Sequence, residues 1–236
     1  LLQWGDDALI LGQRLAEWCG HGPILEEDIA LTNMSLDLIG QARNWLTEAG
    51  RRMAEGKSED DLAYFRTERE FRNHKLLELP NGDFGDTICR LYLWSEFALL
   101  RAEALLEQDV DAEVKAIAAK SIKEGKYHVA HTREWMLRLG DGTEESHRRV
   151  TESLKRWVPY TGEFFATAEA DKPAVAAGVM PEPAAFEAAW REAVGRTLEG
   201  ATLAWPVGSA PHRGGKDGLH TEHLGYLLAE MQSLAR

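Results

Sequence analysis

Apolar residues recur every three or four positions along nearly the whole chain, and that spacing predicts helices. Ala8, Leu11, Leu15 and Trp18 form the stripe of a first helix that ends near Gly20 and Gly22. A second helix spans about 25–54, with Pro23 just upstream and Gly50 and Gly56 near its end. Ser58 is the candidate N-cap of a short third helix through Asp61, Leu62 and Phe65. Pro80-Asn81-Gly82-Asp83 breaks the chain ahead of a fourth helix, about 86–108. A fifth covers about 112–139 and stops at Gly140-Asp141-Gly142-Thr143. Thr143 caps a sixth, with Glu144 and Glu145 in the first turn, where the helix dipole favours acids. Residues 170–183 carry three prolines and read as a loop. A seventh helix covers about 184–203, a Gly- and Pro-rich loop follows over 205–218, and a last helix spans about 219–234. No segment alternates as a strand does, and no internal repeat is present. Long helices with short connections predict a helical bundle built on the first, second, fourth and fifth.

The chain has 236 residues, enough for one large domain. Its formal net charge of -12 disfavours nucleic acid and anionic membrane as partners, and leaves a basic protein partner open. Two cysteines, Cys19 and Cys89, without a CxxC pair, fit a reducing cytoplasm rather than a disulfide-stapled fold. The opening Leu1-Leu2-Gln3-Trp4-Gly5-Asp6-Asp7 has neither a basic nor an apolar leader region, and no apolar run is long enough to span a bilayer.

Helical bundles often hold two metals with a Glu from each of two helices and Glu-x-x-His from each of two others. Glu-x-x-His occurs once here, as Glu144-Glu145-Ser146-His147, in a first turn beside a cap, where an exposed acidic helix start is the plainer reading. The core stripe of the fifth helix includes Ser121, Gly125, His128 and Thr132; the His is present, but Gly125 stands three residues earlier. On the fourth helix Ser95 sits mid-stripe, and on the second Asp37 is followed by Gly40. Glu17 lies near the stripe of the first helix, in reach of an inward orientation. The pattern is that of a di-metal bundle with half its ligands missing: Glu17, Asp37 and His128 remain, against Gly40, Ser95 and Gly125. The expectation is therefore no catalytic, cofactor or metal residues, only vestigial-site candidates Glu17, Asp37, Ser95 and His128. A mononuclear site is the open alternative. Lys123 and Lys126 are candidates for a charge bridge to Asp37 in place of the metals.

Two further clusters, Glu124/His128/His131 and Asp217/His220/His223, have helical spacing that suits zinc and equally suits hydrogen-bonded histidines. Gly214-Gly215-Lys216 fails as a phosphate loop, because Ala210 and Asp217 stand where Gly and Ser or Thr are needed. No nucleophile elbow or dinucleotide fingerprint is present.

Several blocks carry a family resemblance. They are Gly5-Asp6-Asp7-Ala8-Leu9-Ile10-Leu11-Gly12-Gln13-Arg14-Leu15, Glu17-Trp18-Cys19-Gly20-His21-Gly22-Pro23, Glu26-Glu27-Asp28-Ile29-Ala30-Leu31, Glu68-Arg69-Glu70-Phe71-Arg72-Asn73 and Pro80-Asn81-Gly82-Asp83-Phe84. Tyr127-His128, the run Arg138 to His147 and the closing run His220 to Gln232 belong with them. Together they resemble the C subunits of bacterial phenylacetyl-CoA epoxidases over nearly the whole chain.

The resemblance implies an all-α fold, a ferritin-like four-helix bundle with additional C-terminal helices. It would form one domain over 1–236, with its core at about 6–140 and the added helices at about 143–236. It implies a structural subunit of a monooxygenase complex that epoxidises the phenylacetyl-CoA ring with O2 and NADPH-derived electrons. The di-iron centre belongs to a homologous catalytic oxygenase subunit, and this chain holds no cofactor of its own. Gly40, Ser95 and Gly125 then stand where that homologue carries ligands. Other subunits of the complex are expected partners, as is a homodimer of the isolated chain. An active di-metal oxidase with unusual ligands and an unrelated helical scaffold are the competing readings.

Overall fold

The structure is a computed structural model that describes residues 1–208 and 211–235. Ser209 and Ala210, within the predicted 205–218 loop, and Arg236 lie outside the described residues. Among the described residues there are ten α-helices, four 3-10 turns and no strand. The class is all-α and ferritin-like, with long antiparallel helical hairpins. The chain divides into two compact units, Leu1–Asn81 with Arg213–Arg236, and Gly82–His212.

The first unit opens with α1 (Leu2–Ala16) and α2 (Leu25–Arg52), followed by α3 (Glu59–Tyr64) and the single turn α4 (Lys75–Glu78). A Cβ on Gly5 would lie 2.6 Å from Leu46 Cδ2, and one on Gly12 would lie 3.1 Å from Ile39 Cγ1. The glycines therefore let the two backbones approach closely, and the Ser35 hydroxyl donates to Gly12 O at 2.8 Å across the contact. The pairing of 5 with 46 and 12 with 39 makes the hairpin antiparallel. Trp4 and Trp45 meet with ring centroids 5.0 Å apart. Ser58 caps α3, as its position predicts, in a reciprocal box with Asp61. α1 begins earlier than the stripe from Ala8 suggests, because Gln3 to Leu9 are also buried.

The second unit holds α5 (Phe84–Leu106), α6 (Ala112–Gly140), α7 (Glu144–Thr161), the short α8 (Lys172–Ala176) and α9 (Glu187–Gly200). α5 is buried continuously from Gly85 to Phe97, so it is the central helix of this unit. Its first turn is fixed by the Asp83–Asp86 capping box. Asp86 also accepts from Ser153 Oγ at 2.7 Å and from Arg156 at 2.6 Å, while its carbonyl accepts from Trp157 Nε1 at 2.9 Å. That one residue ties α7 to α5. α9 is tied to α5 by Trp190 Nε1 on Leu93 O at 3.0 Å and by the Tyr92 hydroxyl on Thr197 Oγ1 at 2.7 Å. Phe97 and Phe164 stack at 4.7 Å, and Phe165 and Trp190 close the same aromatic cluster. Thr143 caps α7 as its position predicts.

The chain then returns to the first unit as α10 (Glu222–Met231). This helix is shorter than the predicted 219–234, because Gly218 is left-handed (φ 79°) and Thr221 is extended, so helical geometry starts only at Glu222.

Two consecutive carboxylates of α1 hold the path of residues 66–78. Asp6 accepts from the Arg66 guanidinium through both oxygens and from Arg72 N at 2.9 Å. Asp7 accepts from both His74 N and His74 Nδ1 at 2.9 Å. Burial pushes the Asp6 carboxyl up, against the opposing pull of Arg66 and the Arg72 amide. Removing one member of such a buried pair strands the other charge. Asp6→Ala is therefore expected to cost about 3–5 kcal/mol in urea unfolding. The double change Asp6→Leu with Arg66→Met is expected to cost less than Asp6→Ala alone, since no charge is left buried.

Candidate functional site

The vestigial-site candidates have different surroundings. Glu17 follows the last turn of α1, is exposed, and faces away from any core: it accepts from Arg14 at 2.6 Å and from Asn81 Nδ2 at 2.9 Å. The inward orientation open to it does not occur, because the helix ends at Ala16 and Glu17 accepts from the Arg14 and Asn81 side chains instead. Asp37 lies half-buried at the edge of the buried face of α2. In the other unit, Ser95 is buried in α5 with no hydrogen-bond partner for its hydroxyl among the described residues. His128 is buried in α6, and its carbonyl accepts from Thr132 Oγ1 at 2.7 Å. Lys123 is exposed, and Lys126 is exposed and lies 3.7 Å from Glu103 of α5.

Neither mid-helix glycine is demanded by packing. A Cβ at Gly40 would meet no heavy atom within 4 Å, and one at Gly125 would meet only Leu99 Cδ1 at 3.8 Å. Gly40 and Gly125 bring no donor, and Ser95 brings only a hydroxyl. These three positions do not fit a carboxylate-rich two-metal centre. Within neither unit do three His, Cys, Asp or Glu side chains gather in a metal-binding group, among the described residues.

The remaining motifs make local contacts. His147 Nδ1 lies 2.7 Å from Gly140 O, which ties α7 back to the end of α6. Glu124 lies 3.8 Å from Lys120, and the His131 ring is 5.8 Å from Tyr127. Gly215 is held where a side chain would strike Asn73 O, and the 3-10 turn Gly215–Asp217 buries Lys216.

Sequence reasoning missed the buried carboxylates that matter most. Besides Asp6 and Asp7 these are Glu78 and Glu96. Glu78 accepts from Asn73 Nδ2 at 2.9 Å, from Thr221 N at 2.5 Å and from His220 Nδ1 at 2.7 Å, while its carbonyl accepts from Arg14. His220 Nε2 lies 3.0 Å from Phe71 O, so the ring bridges Glu78 and the Phe71 carbonyl. His220 is thus a pin for the returning chain, with Arg14, His74–Asp7 and Arg66–Asp6 close by in the same unit. In the second unit, burial raises the Glu96 carboxyl above its ordinary range, against Tyr92, Arg133 and Arg196. The signal for Glu78 and Glu96 was their position amid apolar neighbours, Leu76-Leu77 and Phe97-Ala98-Leu99.

A family model described as phenylacetic acid catabolic protein matches residues 1–236. The chain is also 45% identical over 235 residues to the C subunit of 1,2-phenylacetyl-CoA epoxidase from Escherichia coli (strain K12). That match covers 100% of this chain and 94% of the relative.

Two outcomes are expected. Gly40→Ala and Gly125→Ala, each in open or ordinary contact, are expected to stabilise the isolated chain by about 0.5–1 kcal/mol in thermal or urea unfolding. Cys19 is exposed, whereas burial and Asp86 push the Cys89 thiol up. A thiol reagent at neutral pH is therefore expected to label Cys19 in the native protein and Cys89 only after unfolding.

Proposed function

Because the chain belongs to the phenylacetic acid catabolic protein family over its whole length, we propose that it is a structural, non-catalytic subunit of a phenylacetyl-CoA epoxidase. In this reading it pairs with a homologous di-iron catalytic subunit, works with the other subunits of that complex, and serves aerobic phenylacetate degradation in the cytoplasm. No described helix is long and apolar enough to cross a membrane.

The observation that carries the proposal is the outer face of α2. Leu25, Ile29 and Leu36 are 71%, 52% and 61% exposed, and Ile24 beside them is 51% exposed. The steps of four, seven and four that link Leu25, Ile29, Leu36 and Gly40 put them on one side of the helix. The opposite side buries Leu31, Met34, Leu38, Ala42 and Trp45. A helix that is apolar on both sides is suited to lie between two bodies, and this one has its second side bare. Gly40, where even an added Cβ would touch nothing, would let a partner helix come close. Sequence alone does not single out this face, because Leu25, Ile29 and Leu36 obey the same spacing as core positions. The support for a non-catalytic role is the donor-poor set Gly40, Ser95 and Gly125.

The double variant Ile29→Asp/Leu36→Asp tests the pairing. Both residues are exposed, so helicity and Tm of the isolated chain are expected to stay nearly unchanged, within about 0.5 kcal/mol. Retention of the catalytic subunit on the affinity-tagged chain is expected to fall about tenfold or more. Undiminished retention would remove α2 as the docking face.

A further inference from the structure

The bases of the second unit are met in two different ways. On α7 and α9 every Lys and Arg has a carboxylate oxygen at 2.5 to 2.9 Å, most of them three or four residues away on the same helix. α6 is the exception. It carries six bases against three acids, Glu113, Glu124 and Glu134, in a chain whose formal net charge is -12. Lys120 and Lys126 reach Glu124 and Glu103 only at 3.8 and 3.7 Å. Lys115 and Lys123 form no ion pair among the described residues.

These bases share one bare face. Between Ala116 and Ala130 the exposed positions are Lys120, Lys123, Lys126, Tyr127 and three alanines, and none is acidic. The lysines stand three residues apart, so each neighbours the next on the helix surface, where like charges oppose the helix. The face is about 20 Å long and convex, whereas a small anion is enclosed by a concave site. A nucleic acid would bring its polyanion against the acidic balance of the whole chain. An acidic stretch of protein supplies carboxylates over the same length, complementary to the lysines. It would also cover Tyr127, which is 49% exposed and of a type enriched at protein interfaces.

We infer that the exposed face of α6 around Lys120, Lys123, Lys126 and Tyr127 binds an acidic segment of another protein chain. This surface is on a different helix from the outer face of α2, and the inference does not rest on pairing with a catalytic subunit.

The probe is a fluorescent Leu/Glu peptide of about 18 residues, carrying a photo-crosslinker and titrated into the full-length chain. Saturable binding that weakens with added salt is expected, with crosslinks falling on α6. Lys120→Gln/Lys123→Gln/Lys126→Gln is expected to weaken binding about tenfold. Lys57→Gln/Lys155→Gln/Lys172→Gln removes the same charge from lysines that already have carboxylates at 3.1, 2.7 and 2.5 Å, and is expected to leave affinity nearly unchanged. Tyr127→Ala is expected to weaken binding about threefold. Thermal melts of each variant separate loss of the site from loss of the fold. Absence of binding, crosslinks on α2, or equal losses in the two triple variants would each overturn the inference. Displacement of the peptide by an equimolar oligonucleotide or by equimolar inorganic pyrophosphate would overturn it too, and would assign the face to phosphate.

Discussion

Asp6 and Asp7 lie side by side on α1, both sealed from solvent, and the first unit is organised around how their charges are met. Arg66 and the Arg72 amide meet one; the amide and ring of His74 meet the other. A carboxylate cannot be buried without such partners, so the irregular stretch from Arg66 to Glu78 is compelled to run beside α1. That stretch presents Glu78, the carboxylate on which His220 and Thr221 close. The returning C-terminal segment therefore docks on a surface that exists only because α1 carries two acids. Each later contact depends on the earlier one, so damage to Asp6 is expected to reach α10, far away in the chain.

The second unit is held differently. Its centre is largely aromatic, and among its polar ties Asp86 joins α5 to α7 while Trp190 and Tyr92 join α5 to α9. Non-directional burial supplies the cohesion there, while single hydrogen bonds set which helix lies against which. Ser95 and His128 are buried mid-helix there, as are the charged Arg90, Glu96 and Arg101.

The long helices were legible because a period of three to four residues survives in α1, α2, α5, α6, α7 and α9, and caps such as Ser58 and Thr143 announce themselves locally. α4 and α8 were not, since four or five residues are too few to show a period. Asp6 and Asp7 give no local sign of burial: a carboxylate doublet near a helix start normally faces water and the helix dipole, and only the distant Arg66 and His74 make burial tolerable. Glu17 turns outward because an apolar stripe points inward only while the helix lasts. That Gly40, Ser95 and Gly125 offer neither carboxylate nor imidazole is plain from residue type alone, which needs no tertiary information. The bare side of α2 was not, because exposure is a property of the fold and Leu25 looks the same along a sequence whether covered or open.

In the proposed reading, this family member keeps a ferritin-like class of fold while lacking the donors of a two-metal centre, and serves instead as a partner surface. Metal content tests that reading most directly. The purified chain, produced in iron- and manganese-rich medium, would be measured by plasma mass spectrometry against protein concentration. Iron and manganese far below one atom per chain are expected. Two bound atoms per chain would contradict the reading, and Ser95 and His128 would then have to be reread as parts of a working oxygen-activating site.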